Sequence, residues 1–484
     1  LGARRSIDVA TVLLLGCPTE EPPVADPPPA MPQTGYAPLT IDLAETGLAP
    51  SAVTGVRIGG VNAFRLEPGE GTLLTVTPQG APAAGLADAA IYTAAPDGGP
   101  SGPFSSARAA VVPGVVDYLP PRHPAFERVV AVGASLTQGV QDAVPTQQSI
   151  LQSPALLVAR QLRAYFPMPV FVDPLLPPMD HAILGPPPEC TKPSVVGYVG
   201  EQAVAVLGSL KDGEGDIVYW PARVDPLLTV HNVAVGGFRI GEVVDGVNPG
   251  NFGGSFLGHL VNEPFGAIGS PLLSTQVELI AELDPTLVLS TDLFGNDLII
   301  PIADAEGPVT NLDELTDLET FEAALASFIA AMESLGADVF VTTMPYPSML
   351  PAADLKDPDD VAIVDAQTEA FNTRFVSAAA QHDWLHVVDL FGAVEDLLAE
   401  PPTIGGEVVA LTRFGGLLSI DGVHFSETGY GFVANLFIEQ INAVYGTDVP
   451  LVDLEPLWAS DAARPDNLRA VGFEPDLCTG PESR

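Results

Sequence analysis

The sequence predicts an α/β protein with a mostly parallel sheet, preceded by a small all-β domain. Beyond residue 121, short β-branched runs alternate with helical patterns, such as the helix candidates at 156–165 and 321–333 and the strand candidates at 337–345 and 384–390. Between 35 and 116 the pattern changes to short alternating runs separated by Gly and Pro. A chain of 484 residues is long enough for both domains.

The β-domain is predicted from four strand candidates, at 39–43, 53–60, 71–78 and 89–94. Spacing of this kind is typical of a small sandwich. Val56-Arg-Ile-Gly-Gly-Val, followed by Leu74-Thr-Val-Thr-Pro-Gln-Gly, resembles the immunoglobulin-like fold known as IPT or TIG. The resemblance implies spacing or binding; the alternative is a β-domain with no binding role.

Composition excludes nucleic acid as a partner. The chain has 19 Lys and Arg against 61 Asp and Glu, a net charge of −42. Nucleic-acid binding depends on neutralising phosphates with Lys and Arg, and this chain lacks the required excess. The acidic residues are spread along the chain, which indicates a solvated acidic surface that anionic membranes would repel.

The first sixteen residues predict an export signal. Arg4 and Arg5 precede the apolar stretch 9–16, which is too short to span a bilayer. Leu14-Leu-Gly-Cys17 resembles a bacterial lipobox, which implies lipidation of Cys17 and an envelope lipoprotein that contacts the membrane through its anchor alone; the alternative is a secreted protein. Residues 17–34 form a Pro-rich tether.

The other two cysteines, Cys190 and Cys478, could form a disulfide in an oxidising compartment, or could remain unpaired. A disulfide would join the acidic C-terminal tail, residues 448–484, to a Pro- and Gly-rich insertion at 173–230. Long insertions such as residues 173–230 are typically lids, binding walls or disordered segments.

Two short motifs carry the predicted chemistry. The run 129–132 ends at Gly133, and Ser135 follows at the point where a buried strand would deliver a nucleophile to the sheet edge. Far downstream, Asp421-Gly-Val-His424 could supply a general base and the carboxylate that orients it. Taken alone, Ser135 is more simply a helix cap; the pairing of the two motifs favours catalysis.

Two further segments lie between these motifs, one ending at Gly236-Gly237 and the other a strand that runs into Asn296. With them, residues 126–447 resemble the SGNH, or GDSL, hydrolase family. The resemblance implies a three-layer, flavodoxin-like domain over residues 121–447. It also implies these roles: Ser135 as nucleophile and backbone oxyanion donor, Gly237 as a second backbone donor, Asn296 as a side-chain donor, His424 as base and Asp421 as its partner. The chain departs from the family pattern at Ala134, where Asp is usual, and at Phe294, where Gly is usual.

We therefore expect a serine esterase or lipase that hydrolyses carboxylic esters through an acyl-enzyme, with no cofactor and no metal. His382 and His386 are four residues apart but bracket Trp384 before a strand, which disfavours metal ligation. The apolar segment 171–179 favours acyl or lipid esters. The alternatives are a carbohydrate O-acetyl esterase and a non-catalytic surface-binding or adhesion protein.

Overall fold

The computed structural model describes residues 27–93, 108–171, 227–247, 274–303, 312–353 and 356–478. It also describes residues 190, 198, 202, 223, 225, 257–259, 261, 262 and 272. Most of the predicted insertion at 173–230 and all of the predicted signal at 1–16 lie outside these ranges. Among the described residues, no helix is both long and apolar enough to cross a bilayer.

The N-terminal domain consists of seven strands in the hydrogen-bonded order β1-β7-β6-β3-β4-β5-β2. All neighbours are antiparallel except β1, which pairs in parallel with β7. Inward-facing residues alternate with exposed ones, and their apolar side chains form a core separate from that of the larger domain. The strands are β1 Ala30–Pro32, β2 Leu39–Asp42, β3 Val53–Ile58, β4 Val61–Pro68, β5 Leu73–Pro78, β6 Gly85–Thr93 and β7 Arg108–Leu119.

The four predicted strands are present as β2, β3, β5 and β6, but the domain is larger than predicted. Residues 30–32, assigned to the tether 17–34, pair with residues 117–119 of β7. Assigning them to the tether was wrong because Pro32 suggested an extended linker, whereas an edge strand tolerates proline. β4 was not predicted, and β7 continues to Leu119, beyond the predicted limit at 116.

The larger domain contains a parallel sheet in the order β11-β10-β9-β8. Residues 231–235 continue it as an extended segment beside β8, because Ala131 and Asn232 form a parallel bridge. If the five segments are numbered along the chain, with residues 231–235 as the second, their order across the sheet is 2-1-3-4-5. The order in which the chain adds strands to the sheet therefore reverses between β8 and β9. Ligands of open α/β sheets bind outside the carboxyl ends of strands at such a reversal. The strands are β8 Val129–Ala131, β9 Leu287–Ser290, β10 Asp338–Thr342 and β11 Leu385–Val388.

Helices cover this sheet, and their ends follow local sequence signals. The longest ones begin at Asp or Ser N-caps, Asp317, Asp357 and Ser426, whose side chains accept backbone N–H groups. The described helices are α1 Ser135–Gln138, α2 Gln147–Ile150, α3 Pro154–Leu162, α4 Ile240–Asp245, α5 Gln276–Glu282, α6 Asn296–Ala303, α7 Leu318–Leu335, α8 Pro358–Ala379, α9 Leu390–Ala399, α10 Glu427–Tyr445, α11 Leu454–Ser460 and α12 Pro465–Ala470. A short hairpin pairs β12 Thr403–Ile404 with β13 Glu407–Val408.

The predicted acidic C-terminal tail, residues 448–484, contains regular secondary structure in its described part, residues 448–478. It contains α11 and α12, and Trp458 is buried in the core of the larger domain. No helix was predicted here, because an acidic, Pro-rich composition does not reveal that Trp458 is buried by tertiary contact. Cys478, near its end, forms a disulfide with Cys190, with the two Cα atoms 5.5 Å apart.

The two domains are joined by direct packing as well as by the chain. Tyr36 and Phe64 of the β-domain contact the core of the larger domain. The Met168 N–H donates to the Tyr36 hydroxyl at 2.6 Å, and Asn62 donates to the Asp225 carboxylate at 2.5 Å. The Tyr36 hydroxyl is thus a buried polar link between the domains.

We predict that removing one of two buried tyrosine hydroxyls of the β-domain destabilises the protein and that removing the other does not. Tyr36→Phe leaves the Met168 N–H without its acceptor and should reduce the free energy of unfolding by about 1–3 kcal/mol. Tyr118 is the matched control, because its buried hydroxyl has no hydrogen-bond partner among the described residues, so Tyr118→Phe should be neutral or stabilising. Urea unfolding monitored by fluorescence measures both changes; equal losses would contradict the prediction.

Candidate active site

Ser135 begins α1, four residues after the end of β8. Gly133 turns the chain with φ of +129°, in the region that favours glycine. A Cβ atom at that position would lie 2.8 Å from Ser290 Oγ and 2.9 Å from Thr137 Oγ1. The turn brings Ser135 to the surface of an otherwise buried segment, at the carboxyl edge of the sheet.

Buried amide side chains hold both ends of this loop. The Gln276 side chain accepts the Gly133 N–H and donates to the Gly133 carbonyl, each at 2.9 Å. The Asn232 side chain donates to the Thr137 carbonyl at 2.9 Å. These contacts fix the backbone on both sides of Ser135.

Asp292, two residues beyond β9, accepts the N–H groups next to Ser135. Its carboxylate accepts from Ala134 at 3.0 Å, Leu136 at 2.6 Å and Thr137 at 3.1 Å, and from the Thr137 hydroxyl at 2.7 Å. The Ser135 N–H itself donates to none of the described groups. It is therefore available at the surface of the loop.

Asp421 and His424 form a buried hydrogen-bonded pair, with 2.7 Å between Asp421 Oδ2 and His424 Nδ1. The other Asp421 oxygen accepts the N–H groups of Val423 and His424, both at 2.9 Å. The Ala143 N–H donates to Oδ2 at 2.8 Å. A carboxylate with these donors is fixed in orientation, and it fixes the imidazole ring in turn.

The charges around His424 favour the imidazolium. Burial alone lowers the pKa of His424, but the charge and hydrogen bond of Asp421, together with the charges of Asp292 and Asp142, raise the pKa above its ordinary value. Burial alone raises the pKa of Asp421, and His424, by its charge and hydrogen bonds, reverses this and holds the pKa far below its usual range. Asp421 therefore stays ionised beside the imidazole.

The segment 139–144 connects the serine loop to the Asp421–His424 loop. The Tyr430 hydroxyl donates to the Val140 carbonyl, and Asp142 accepts the Ile420 N–H at 3.1 Å. Asp142 and Ala143 have φ of +50° and +70°, a strained backbone for non-glycine residues. Burial, with the nearby Asp421 charge, raises the pKa of Asp142 to about 7. No hydrogen bond joins Ser135 Oγ to the His424 ring in this structure.

A turn at Gly236 and Gly237 lies against Ser135. The Phe238 N–H donates to the Val235 carbonyl at 3.2 Å, and Gly237 at the corner has φ of +85°. A Cβ atom at Gly236 would lie 3.7 Å from Ser135 Cβ, so the turn is in direct reach of the serine.

Gln138 and Asn296 hold this turn from either side. Gln138 Oε1 accepts the Gly236 N–H at 2.9 Å, and Asn296 Nδ2 donates to the Phe238 carbonyl at 2.9 Å. The Asn296 amide has two N–H groups, and this contact fixes its orientation. Phe294, the departure from the family pattern, is fully buried against Phe321 and Phe375, which anchors the loop before Asn296.

All five residues predicted at the site, Ser135, Gly237, Asn296, Asp421 and His424, belong to segments that meet at this edge. Sequence reasoning missed the groups that hold them, Asp292, Gln276, Gln138, Asn232 and Asp142. Asp292 had one usable signal, because it is a polar residue directly after a buried strand. Cys17 lies outside the described residues.

In the part of the chain that the structure describes, no group of three or more His, Cys, Asp or Glu side chains is arranged to hold a metal ion. His386 instead contacts Asp338 at 3.3 Å, and His382 packs on Trp384.

No family model and no curated protein matches this chain. Among solved structures, it is similar to an alpha/beta hydrolase enzyme from the metagenome of Lake Arreo, Spain, at 14% identity and a TM-score of 0.31, over 66% of this chain and 99% of that one. It is also similar to a variant of an acetyl xylan esterase from Geobacillus stearothermophilus, at 13% identity and a TM-score of 0.29, over 65% and 94%. A lipase/acylhydrolase from Enterococcus faecalis gives 19% identity and a TM-score of 0.23, over 54% and 91%. Because these TM-scores are low, the fold of this chain is defined by its own strand pairing.

We predict that the His424 imidazole titrates above 6.5 and that Asp421→Asn lowers its pKa, because the largest favourable charge is lost. Since folding raises this pKa, protonated His424 adds stability that is fully present below pH 6.5 and disappears as pH rises through the folded-state value. NMR titration of the imidazole signals measures the pKa of His424 in the wild-type protein and in Asp421→Asn. His231, whose pKa burial lowers to about 4, is an internal control.

Proposed function

We propose that this chain is a serine hydrolase of the SGNH type that cleaves carboxylic esters through an acyl-enzyme. The observation that supports this most directly is the buried Asp421–His424 pair, beside the loop that presents Ser135. The parallel strand order 2-1-3-4-5, which flavodoxin-like sheets share, agrees with it. The β-domain then serves as an immunoglobulin-like spacer or binding module.

In the proposed reaction, His424 Nε2 takes the proton from Ser135 Oγ as Oγ attacks the ester carbonyl carbon. Asp421 keeps the Nδ1 proton in place and stabilises the imidazolium. The carbonyl electrons move onto oxygen, and the N–H groups of Ser135 and Gly237 and the Asn296 amide donate to that oxyanion. His424 protonates the leaving alcohol, and water then attacks the acyl-enzyme by the same route. Formation of the Ser135–His424 hydrogen bond belongs to the substrate complex, since such bonds are often loose without substrate.

The substrate we propose is an acyl or lipid ester, on the strength of the apolar segment 171–179. A series of p-nitrophenyl esters of increasing chain length, run beside acetylated xylan, identifies the class. Turnover of acetylated sugar alone would assign the carbohydrate O-acetyl esterase alternative instead.

The first prediction for this function is covalent labelling of Ser135 by a fluorophosphonate probe. Wild-type protein should be labelled, and Ser135→Ala should lose both labelling and ester hydrolysis while remaining folded. Absence of labelling in folded wild-type protein would exclude the enzyme and favour the surface-binding or adhesion role.

The second prediction concerns the oxyanion donors. Asn296→Ala should lower kcat by about 10²–10³, the loss that follows from removing one side-chain donor. Asn442→Ala is the matched control, because its amide also donates to a backbone carbonyl, that of Val449, but on α10 away from Ser135. A loss below tenfold in Asn296→Ala, measured per labelled active site, would assign the side-chain donor to another residue.

We also propose that Cys17 carries lipid and that residues around 18–29 tether the folded protein to a bacterial envelope. One acyl chain anchors only marginally, so the proposed anchor has several chains. Wild-type protein expressed in a bacterial host should fractionate with membranes, and Cys17→Ala should change its processing or release it. A fully soluble wild-type protein would refute the anchor and leave secretion as the alternative.

A further inference from the structure

The Asp292 carboxylate accepts four hydrogen bonds, and all four come from the loop that carries Ser135. Asp292 reaches this loop from the end of β9, more than 150 residues away in sequence. Residue 134, where the resemblance implies an aspartate, is alanine. The only carboxylate bonded to the loop backbone therefore comes from the neighbouring strand, among the described residues.

The loop conformation is adapted to this carboxylate. A Cβ atom at Gly133 would lie 3.1 Å from Asp292 Oδ1, and the positive φ of Gly133 already disfavours any other residue. Asp292 is almost fully buried. Burial raises the pKa of Asp292, while its hydrogen bonds to the Thr137 hydroxyl and the three N–H groups act in the opposite sense. The ionised form is the one that can accept all four donors.

Two consequences follow for the reacting groups. The N–H groups of Ala134, Leu136 and Thr137 are taken, so the Ser135 N–H is the one of this run left to meet a substrate oxygen. In addition, the Asp292 charge acts on His424 and raises its pKa together with Asp421 and Asp142. Tyr430 also interacts with Asp292, and its own pKa lies well above its ordinary value, raised by burial and then by Asp292.

We propose that Asp292 is a positioning residue of the active site: it holds the Ser135 loop in its reactive geometry and supplies a second negative charge to the His424 imidazolium. This inference rests on the proposed function. Asp292 does not contact the substrate; it acts through the Ser135 backbone and through the charge balance of His424.

The test compares Asp292→Asn with Asp389→Asn in the full chain. Asp389 is the matched control, because its carboxylate also accepts a backbone N–H, from Gly392, and a hydroxyl, from Thr343, but at the end of β11. Asp292→Asn should lower kcat by about 10–100-fold, since small displacements of reacting groups have losses of this order, with KM within about threefold. Asp389→Asn should keep the wild-type kcat.

The pH profile separates positioning from a structural role. Asp292→Asn removes a negative charge near His424, so the acid limb of kcat/KM should move to lower pH; in Asp389→Asn it should not move. Rates are expressed per fluorophosphonate-labelled site, so that loss of folded protein does not count. An unchanged kcat per labelled site, or an unmoved acid limb, overturns the proposal.

If Asp292→Asn does not fold, Thr137 provides the same test. Thr137→Val removes one of the four donors to Asp292, whereas Thr137→Ser keeps the hydroxyl and should retain the higher kcat per labelled site; equal losses overturn the proposal. Failure of the proposed function is distinguishable, because folded wild-type protein would then not be labelled, or Ser135→Ala would keep the wild-type labelling and activity, whatever the Asp292 variants do.

Discussion

A polypeptide that leaves a parallel sheet must find hydrogen-bond partners for backbone groups that no longer have a neighbouring strand. In this protein the N–H groups of Gly133, Ala134, Leu136 and Thr137 and the carbonyls of Gly133 and Thr137 bond to buried side chains. Those side chains belong to Gln276, Asp292 and Asn232. These partners come from three segments that have no local connection to the serine. The position of Ser135, and of everything that meets it, depends on this set of contacts.

The carboxylates near His424 are also held in place by hydrogen bonds. Asp421 and Asp292 are buried and Asp142 is half-buried, and all three act on His424, where unpaired carboxylates would be unfavourable. Asp421 and Asp292 are instead saturated with N–H and O–H donors, so their charges are held at fixed places beside the imidazole. Fixed dipoles and charges of this kind need no reorganisation during a reaction, which is why such an arrangement suits a general base.

The strained pair Asp142 and Ala143 illustrates how the two halves of the site are coupled. Left-handed backbone at non-glycine residues persists only where surrounding contacts determine it. Here the Ala143 N–H reaches the Asp421 carboxylate, and Asp142 accepts the Ile420 N–H. The strain is thus located in the segment that connects the Ser135 loop with the Asp421–His424 loop.

The sequence by itself determined the parts that depend on local pattern. Buried β-branched runs, helix caps and glycine turns identify most of the strands and helices, and Ser135 is recognised because it follows one such run. The Asp421-Gly-Val-His424 motif was recognised from its residue types, whereas Gly237 and Asn296 were assigned through the resemblance to the SGNH family. The sequence could not determine that residues 30–32 join a sheet, or that Trp458 of an acidic tail enters a core, because burial there comes from distant segments. The support of the site was less visible: Asp292 follows a buried strand and Gln276 has no distinctive local signal, and neither position shows which groups its side chain bonds to. Only the tertiary structure, which brings strand ends together from more than 140 residues apart, decides which backbone groups those side chains meet.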